Sequence, residues 1–216
     1  PRTVGVQAIS VRDFQEMANS VYGGTRAEGA FEVSNAYDAM ELGINQYIHE
    51  RYLGNLGSDP LEIVEQLNKL QFHLPTQTVR SQEKEEFQQF STPPPLAYVV
   101  NWVASIRPGE TVLEPSAGTG NLAVFAKLQD GKVIGNEVTP RRRALLGEIV
   151  DQTLDLNAEH IGKTLPSNIK PTVVVMNPPF SRAGTRMGNV PVPFAGASHV
   201  EAALEALQPG GRLVAI

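Results

Sequence analysis

Apolar residues recur at helical spacing through VRDFQEMANSVY (Val11–Tyr22), and the Gly23-Gly24 pair stops the run. The same period predicts a second helix over about Asn35–Tyr52, with Met40, Ile44, Tyr47 and Ile48 on one side and Gly54 and Gly57 beyond its end. A third opens with Asp59 as N-cap and Pro60 at the first helical position, and turns Leu61, Val64, Leu67 and Leu70 inward. No motif in this first part carries recognisable chemistry, and the isolated His49 and His73 read as structural. Residues 75–91, rich in Gln, Glu, Ser and Thr, predict a connecting segment.

From residue 92 the pattern changes. Thr92-Pro93 reads as an N-cap followed by proline, opening a helix through about Ile106. Short apolar strands then alternate with helices: strand Thr111–Pro115, helix Gly120 to Leu128, strand Lys132–Glu137, and a helix from Thr139-Pro140 to about Val150. A weak strand near Asn157–Ile161 precedes the strand Thr172–Met176, a helix at about Ser198–Leu207, and a last strand in RLVAI. Such alternation predicts an α/β fold with a parallel sheet covered on both faces. The unbroken valines of TVVVM suit a strand buried on both sides. The expected division is a helical region over 1–85 and an α/β domain over 86–216.

Composition narrows the function classes. The 216 residues contain no cysteine, which excludes disulfides, thiolate metal sites and cysteine nucleophiles, including the covalent route to carbon 5 of cytosine. No apolar stretch approaches the length of a membrane span, and the first residues do not resemble a signal peptide, so no membrane partner is expected. The net charge is -5, with 12 acids against 7 bases in residues 1–85 and 11 of each in residues 86–216. The acidic excess argues against a stand-alone nucleic-acid binder, while the neutral second part leaves room for a local basic patch. The chain opens on Pro1 and stops at Ile216 inside an apolar run, the pattern expected of a piece of a longer polypeptide.

The first candidate chemistry lies in LEPSAGTGNLAVFA, where the first strand of the sheet meets its helix. Gly118 and Gly120 let the backbone turn tightly and approach a ligand closely. With Ala123 they satisfy the spacing of a dinucleotide-binding turn, and Glu137 closes the next strand where a ribose-binding acid belongs. A nicotinamide oxidoreductase and a tight turn without a ligand are both open on these residues. Glu114 tilts the choice. An acid before the turn repels a phosphate but attracts the ammonium of S-adenosylmethionine, while Glu137 accepts from both ribose hydroxyls. Charge complementarity therefore favours the methyl donor.

The second candidate is the run VVVMNPPF. Asn177 and Pro178 each precede a proline and are held extended, so the strand ends in a rigid spur at the carboxyl edge of the sheet. The Pro178 carbonyl and the Asn177 side-chain oxygen offer two fixed acceptors, which suits a substrate with an exocyclic NH2. Gripping both hydrogens turns the nitrogen lone pair toward an incoming methyl group. Phe180 supplies a face on which a ring can stack.

Together these motifs make residues from about Phe87 to Ile216 resemble the amino-methyltransferases, S-adenosylmethionine-dependent enzymes that methylate exocyclic amines, chiefly adenine N6 in DNA. The resemblance implies a Rossmann-like methyltransferase sheet, incomplete at the C-terminus by two strands, preceded by a small helical domain. Phe90, Ser91, Thr92 and Pro93 would border the methionine part of the cofactor. Glu114, Ser116, Ala117, Gly118, Gly120 and Asn121 would form its glycine loop, and Glu137 would hold the ribose. Asn157 or Glu159 would contact the adenine ring, and Asn177, Pro178, Pro179 and Phe180 would be catalytic, with no metal required. The motif order is similar to the gamma-type arrangement. FSTPPPLAYVVNWV with PTVVVMNPPFS also resembles methylase modules of strawberry-notch-type helicases from phages and mobile elements. The implied partners are DNA and the remainder of a larger polypeptide, or a separate target-recognition or helicase domain. The implied location is the cytoplasm of a bacterial or phage-infected cell, associated with the nucleoid. RNA, a protein glutamine, or a silent scaffold role remain as alternatives.

Three weaker signals complete the reading. Arg141, Arg142 and Arg143 open the helix after Glu137 against its dipole, and read as a solvated charged face or a phosphate contact. The glycine- and proline-rich stretch Ser181–Gly196, with Arg182 and Arg186, is a candidate lid. His160 and His199 receive no role.

Overall fold

A computed structural model describes residues 8–57, 59–75, 91–178 and 195–216, together with the backbone of 186–187 and 190–191. The cofactor candidate Phe90, the catalytic candidates Pro179 and Phe180, and Arg182 of the candidate lid lie outside the described residues.

Helix α1 (Val11–Tyr22) starts at a reciprocal cap: the Asp13 amide donates to Ser10 Oγ (3.1 Å) and the Ser10 amide to Asp13 Oδ2 (3.0 Å). Helix α2 (Val33–Tyr52) begins two residues before the sequence expectation. Helix α3 (Pro60–Phe72) has the expected start, with the Leu61 amide donating to Asp59 Oδ1 at 2.9 Å. Of the residues expected inside, Leu67 is buried and Val64 and Leu70 pack against the same core. Ile63 is buried as well, whereas Leu61, expected inside, is 77% exposed. Tyr47 of α2 is likewise exposed, and the buried stripe runs instead through Asp38, Glu41, Asn45, Ile48 and Tyr52.

Helix α4 (Pro94–Ala104) begins later than expected, and Thr92 does not cap it. Pro93 precedes another proline and is held extended (φ -58°, ψ 140°), so it takes the cap position without a side-chain bond. The remaining elements are β1 (Thr111–Glu114), α5 (Ala123–Leu128), β2 (Lys132–Asn136), α6 (Pro140–Leu146), β3 (Gln152–Leu154), α7 (Ile161–Thr164) and β4 (Val173–Met176). A two-residue antiparallel pair, β5 (Arg186–Met187) with β6 (Val190–Pro191), falls in the candidate lid. Helix α8 (Ala195–Ala206) and β7 (Arg212–Ala215) follow. The third strand lies earlier than predicted. Residues 158–160 form a 3-10 turn, because Asn157 Oδ1 accepts from the Glu159 amide (3.0 Å) and caps it.

Five strands form one parallel sheet in the order β3-β2-β1-β4-β7. Alternate residues divide between two cores. Val112, Val133, Val173 and Val175 face a cluster built from α2 to α6, while Leu113, Ile134, Val174 and Met176 face Ile161, Ala202 and Ala203 of α7 and α8. Ile48 and Tyr52 of α2 and Ile63 and Leu67 of α3 belong to the first cluster, so apolar packing runs across the expected 85/86 boundary. Each fully buried valine contributes about 1.5–3 kcal/mol of transfer free energy. The strand ends of β1, β2 and β4 are thereby fixed at one edge. Among the described residues no helix is long and apolar enough to cross a membrane.

Candidate active site

At the end of β1 the chain turns through Gly118 and Gly120, whose φ angles of +58° and +96° favour glycine. The loop is pinned to β2 by two bonds, from the Ala117 amide to the Asn136 carbonyl (2.8 Å) and from the Gly118 amide to Glu137 Oε2 (3.0 Å). Glu137 Oε1 accepts from the Thr139 amide at 2.8 Å, so both oxygens of this buried carboxylate are oriented by backbone. Each keeps a lone pair for another donor. Ser116 is half-buried beside them and Ala117 is buried.

Glu114 is 2% exposed. One oxygen, Oε2, has no hydrogen-bond partner among the described residues. Burial pushes its carboxyl well above the usual range; the Ala123 backbone bond opposes this, Glu137 adds to it and Arg142 opposes it. A buried carboxyl with a free oxygen at a strand end is expensive unless a cation completes it. That is the chemistry an ammonium-bearing ligand such as S-adenosylmethionine offers.

At the end of β4, Asn177 is half-buried and Pro178 buried. Asn177 Nδ2 donates to Thr92 Oγ1 at 3.1 Å. The hydroxyl expected to cap α4 instead holds this amide by its nitrogen, which presents Oδ1 as the acceptor. Thr92 is buried, and its carbonyl accepts from Asn121 Nδ2 at 3.1 Å. Pro93 is exposed. The motifs around Thr92, Gly118 and Asn177 thus meet through direct hydrogen bonds, while Glu114 and Asn177 close the neighbouring, paired strands β1 and β4.

Sequence reasoning missed the polar face of α2. Ser91 Oγ donates to Glu41 Oε1, and Thr119 Oγ1 donates to Glu41 Oε2 at 2.8 Å. Asn45 Nδ2 donates to the Thr119 carbonyl (3.1 Å) and to Asn121 Oδ1 (2.9 Å). Asp38 Oδ2 receives Arg141 Nη2 at 2.6 Å and Nε at 3.1 Å. Asp38, Glu41 and Asn45 stand at i, i+3 and i+7, in line with the buried Ile48 and Tyr52. That spacing was the available signal. It reads as a solvated face until the partner surface is known to be polar.

The arginine cluster is not a solvated face: each of the three meets a carboxylate or carbonyl oxygen within the chain. Arg141 is bound to Asp38, and Arg143 Nη1 donates to the carbonyls of Glu137 (2.9 Å) and Val138 (3.2 Å). Arg142 is buried, with Nε 3.8 Å from Asp38 Oδ1 and Nη1 4.0 Å from Glu137 Oε2. A Cβ on Gly118 would sit 2.6 Å from its Nη2. A second missed residue is Asn136, whose Nδ2 donates to the Pro115 and Leu156 carbonyls (2.9 and 2.8 Å) and whose Oδ1 accepts from the Leu156 amide (2.8 Å). It brings the chain after β3 to the site. Asn157 and Glu159 are exposed there, and Glu159 Oε1 lies 3.8 Å from Nε2 of His199, a buried side chain whose pKa burial lowers and Glu159 raises. Among the described residues no three His, Asp or Glu side chains gather as a metal site.

No model of a known protein family matches the chain, and no curated protein sequence does. Several solved structures resemble it in fold. TrmN from Thermus thermophilus is 18% identical over 71% of this chain and 54% of its own, with a TM-score of 0.46. A protein described as an RNA methyltransferase from Pyrococcus horikoshii is 24% identical over 68% and 69%, with a TM-score of 0.48. A protein described as a methyltransferase from Streptococcus mutans, in complex with SAH, is 18% identical over 59% and 73%, with a TM-score of 0.39. The chain spans about half the length of the Thermus protein. Likenesses this distant carry no chemistry, so the functional reading rests on the side chains.

Proposed function

We propose that the chain binds S-adenosylmethionine and transfers its methyl group to an exocyclic amine, adenine N6 in DNA. The observation that carries this reading is the pairing, on neighbouring strand ends, of an unpartnered buried carboxylate oxygen on Glu114 with an amide on Asn177 whose nitrogen is already bound to Thr92. Glu114 would hold the ammonium of the cofactor, and Glu137, oriented by two backbone amides, would accept from its ribose hydroxyls. The cofactor supplies an electrophilic methyl on sulfur. The chain's own contribution is position and acceptors. Asn177 Oδ1 and the Pro178 carbonyl would accept hydrogen bonds from the two amine hydrogens and leave the lone pair aimed at the methyl; the nitrogen–carbon bond would form as the sulfur–carbon bond breaks, the sulfur leaving as a neutral thioether and the methylated nitrogen losing one proton to water, with no covalent enzyme intermediate. The choice of adenine in DNA rests on the resemblance of the Asn177–Phe180 motif and its order after the glycine loop. A base in a duplex must leave the stack to reach a spur at a sheet edge.

Calorimetry with S-adenosylmethionine and with NAD separates the cofactor classes: binding of the first is expected, and tight binding of NAD alone would overturn the reading. Tritiated methyl transfer to duplex DNA, RNA and protein, using the full polypeptide, then separates the substrates. Label in DNA adenine is expected; label only in RNA or in protein glutamine would replace the substrate. Cofactor binding with no transfer to any of them would leave a scaffold.

A further inference from the structure

We infer that Asn45, on helix α2 outside the α/β sheet, is a positioning residue for the transfer site, an inference that rests on the proposed methyl transfer. Asn45 is 2% exposed. It lies on a face that continues into Ile48 and Tyr52, where an apolar side chain would pack without the cost of burying an amide. Both hydrogens of its amide are committed to residues more than seventy positions away. One goes to the carbonyl of Thr119, the residue between the two loop glycines, and the other to Asn121 Oδ1.

The second bond, the shorter of two on Asn121 Oδ1 (Thr119 Oγ1 also lies 3.2 Å from it), helps set the orientation of Asn121. With Oδ1 facing Asn45, Asn121 turns Nδ2 to the Thr92 carbonyl at 3.1 Å. Thr92 in turn receives Asn177 Nδ2 on Oγ1. A continuous series of bonds therefore runs from α2 through Asn121 and Thr92 to the amide at the strand tip. The first bond ties to α2 the Thr119 carbonyl, in the turn between Gly118 and Gly120, both at positive φ. Glu41, one turn earlier, accepts from the hydroxyls on either side of the same site, Ser91 and Thr119. Helix α2 thus spans the cofactor loop and the segment that orients Asn177. Removing Asn45 takes away the tie from α2 to Asn121 and one of the two ties from α2 to Thr119, the other being the Thr119 hydroxyl bond to Glu41.

The test uses the full polypeptide, with cofactor dissociation constants from calorimetry and single-turnover transfer to duplex DNA. Asn45→Ala is expected to lower the transfer rate at saturating cofactor by about 10- to 100-fold. Its loss should not multiply with that of Thr92→Val, the double variant falling within about twofold of the slower single one. A merely structural role predicts a lower melting temperature, independent effects that multiply, and normal turnover below the melting transition; that result overturns the inference. If Asn45→Ala does not fold, Asn121→Ala at a half-buried position breaks the same link and carries the same expectations. Wild-type protein that binds no S-adenosylmethionine overturns the proposed function and this inference with it. Wild-type transfer with both single variants unimpaired overturns the inference alone.

Discussion

Replacing Glu114 by glutamine should raise stability and lower cofactor affinity at once. Among the described residues one carboxylate oxygen of Glu114 has no partner, and burial raises the pKa well above its ordinary value of 4.5. A group whose folded pKa is raised binds its proton more tightly in the folded state. Its contribution is therefore complete below about pH 4.5 and is lost as pH rises through the folded value. Glutamine has no such loss. It keeps an acceptor for the Ala123 amide and exchanges an unpartnered oxygen for an unpartnered NH2, each costing about 1–3 kcal/mol. Wild type and Glu114→Gln should match at pH 4, and the variant should gain as pH rises, levelling off above the folded pKa. Cofactor binding should move the other way. Removing one member of a buried charge pair costs about 2–5 kcal/mol, which weakens the dissociation constant by about 30-fold at the lower bound. Chemical denaturation from pH 4 to 8 and calorimetry with S-adenosylmethionine read the two effects separately. A variant that is less stable than wild type at pH 8, or that binds the cofactor within twofold of it, would refute the role given to Glu114.

Other perturbations test neighbouring parts of the site. In wild-type protein, cofactor affinity should rise with pH until Glu114 is ionised, with up to tenfold gained per pH unit below that point and a proton released on binding, detected as a dependence of the calorimetric enthalpy on buffer. Thr92→Val keeps the shape of a buried side chain but removes the acceptor for Asn177, so single-turnover transfer should fall by about 10- to 100-fold while cofactor affinity changes far less. Gly118→Ala places a methyl 2.6 Å from the Arg142 guanidinium at a φ of +58°, which costs about 1–2 kcal/mol from the backbone alone; thermal melting should show this, and calorimetry should show loss of cofactor binding.

The central strands were readable because each carries a short apolar run, as in TVVVM before Asn177, whereas the edge strand β3 (QTL) has none and was placed too late. The turn after β1 was legible because Gly118 and Gly120 permit the positive φ angles it takes, and the end of β4 because the proline pair after Asn177 cannot continue a strand ladder. Positions set by tertiary contact were less legible. Leu61 looks like a core residue by period and is exposed, because periodicity defines a face but not where neighbouring chain covers it. Asp38, Glu41 and Asn45 look solvated and are buried, because their partners are loop carbonyls, hydroxyls and arginines supplied by distant segments. Thr92 has the chemistry of a helix cap, yet the proline that follows it is itself held extended, which leaves its hydroxyl to Asn177.

The central claim is that the strand tip carries out transfer. The direct measurement is tritiated methyl transfer to duplex DNA by Asn177→Ala in the full polypeptide, with S-adenosylmethionine affinity measured on the same preparation. The account predicts cofactor binding within about threefold of wild type and transfer reduced by at least 100-fold, since one of two fixed acceptors is gone. Transfer at the wild-type rate with intact binding would contradict it and place the chemistry elsewhere on the chain.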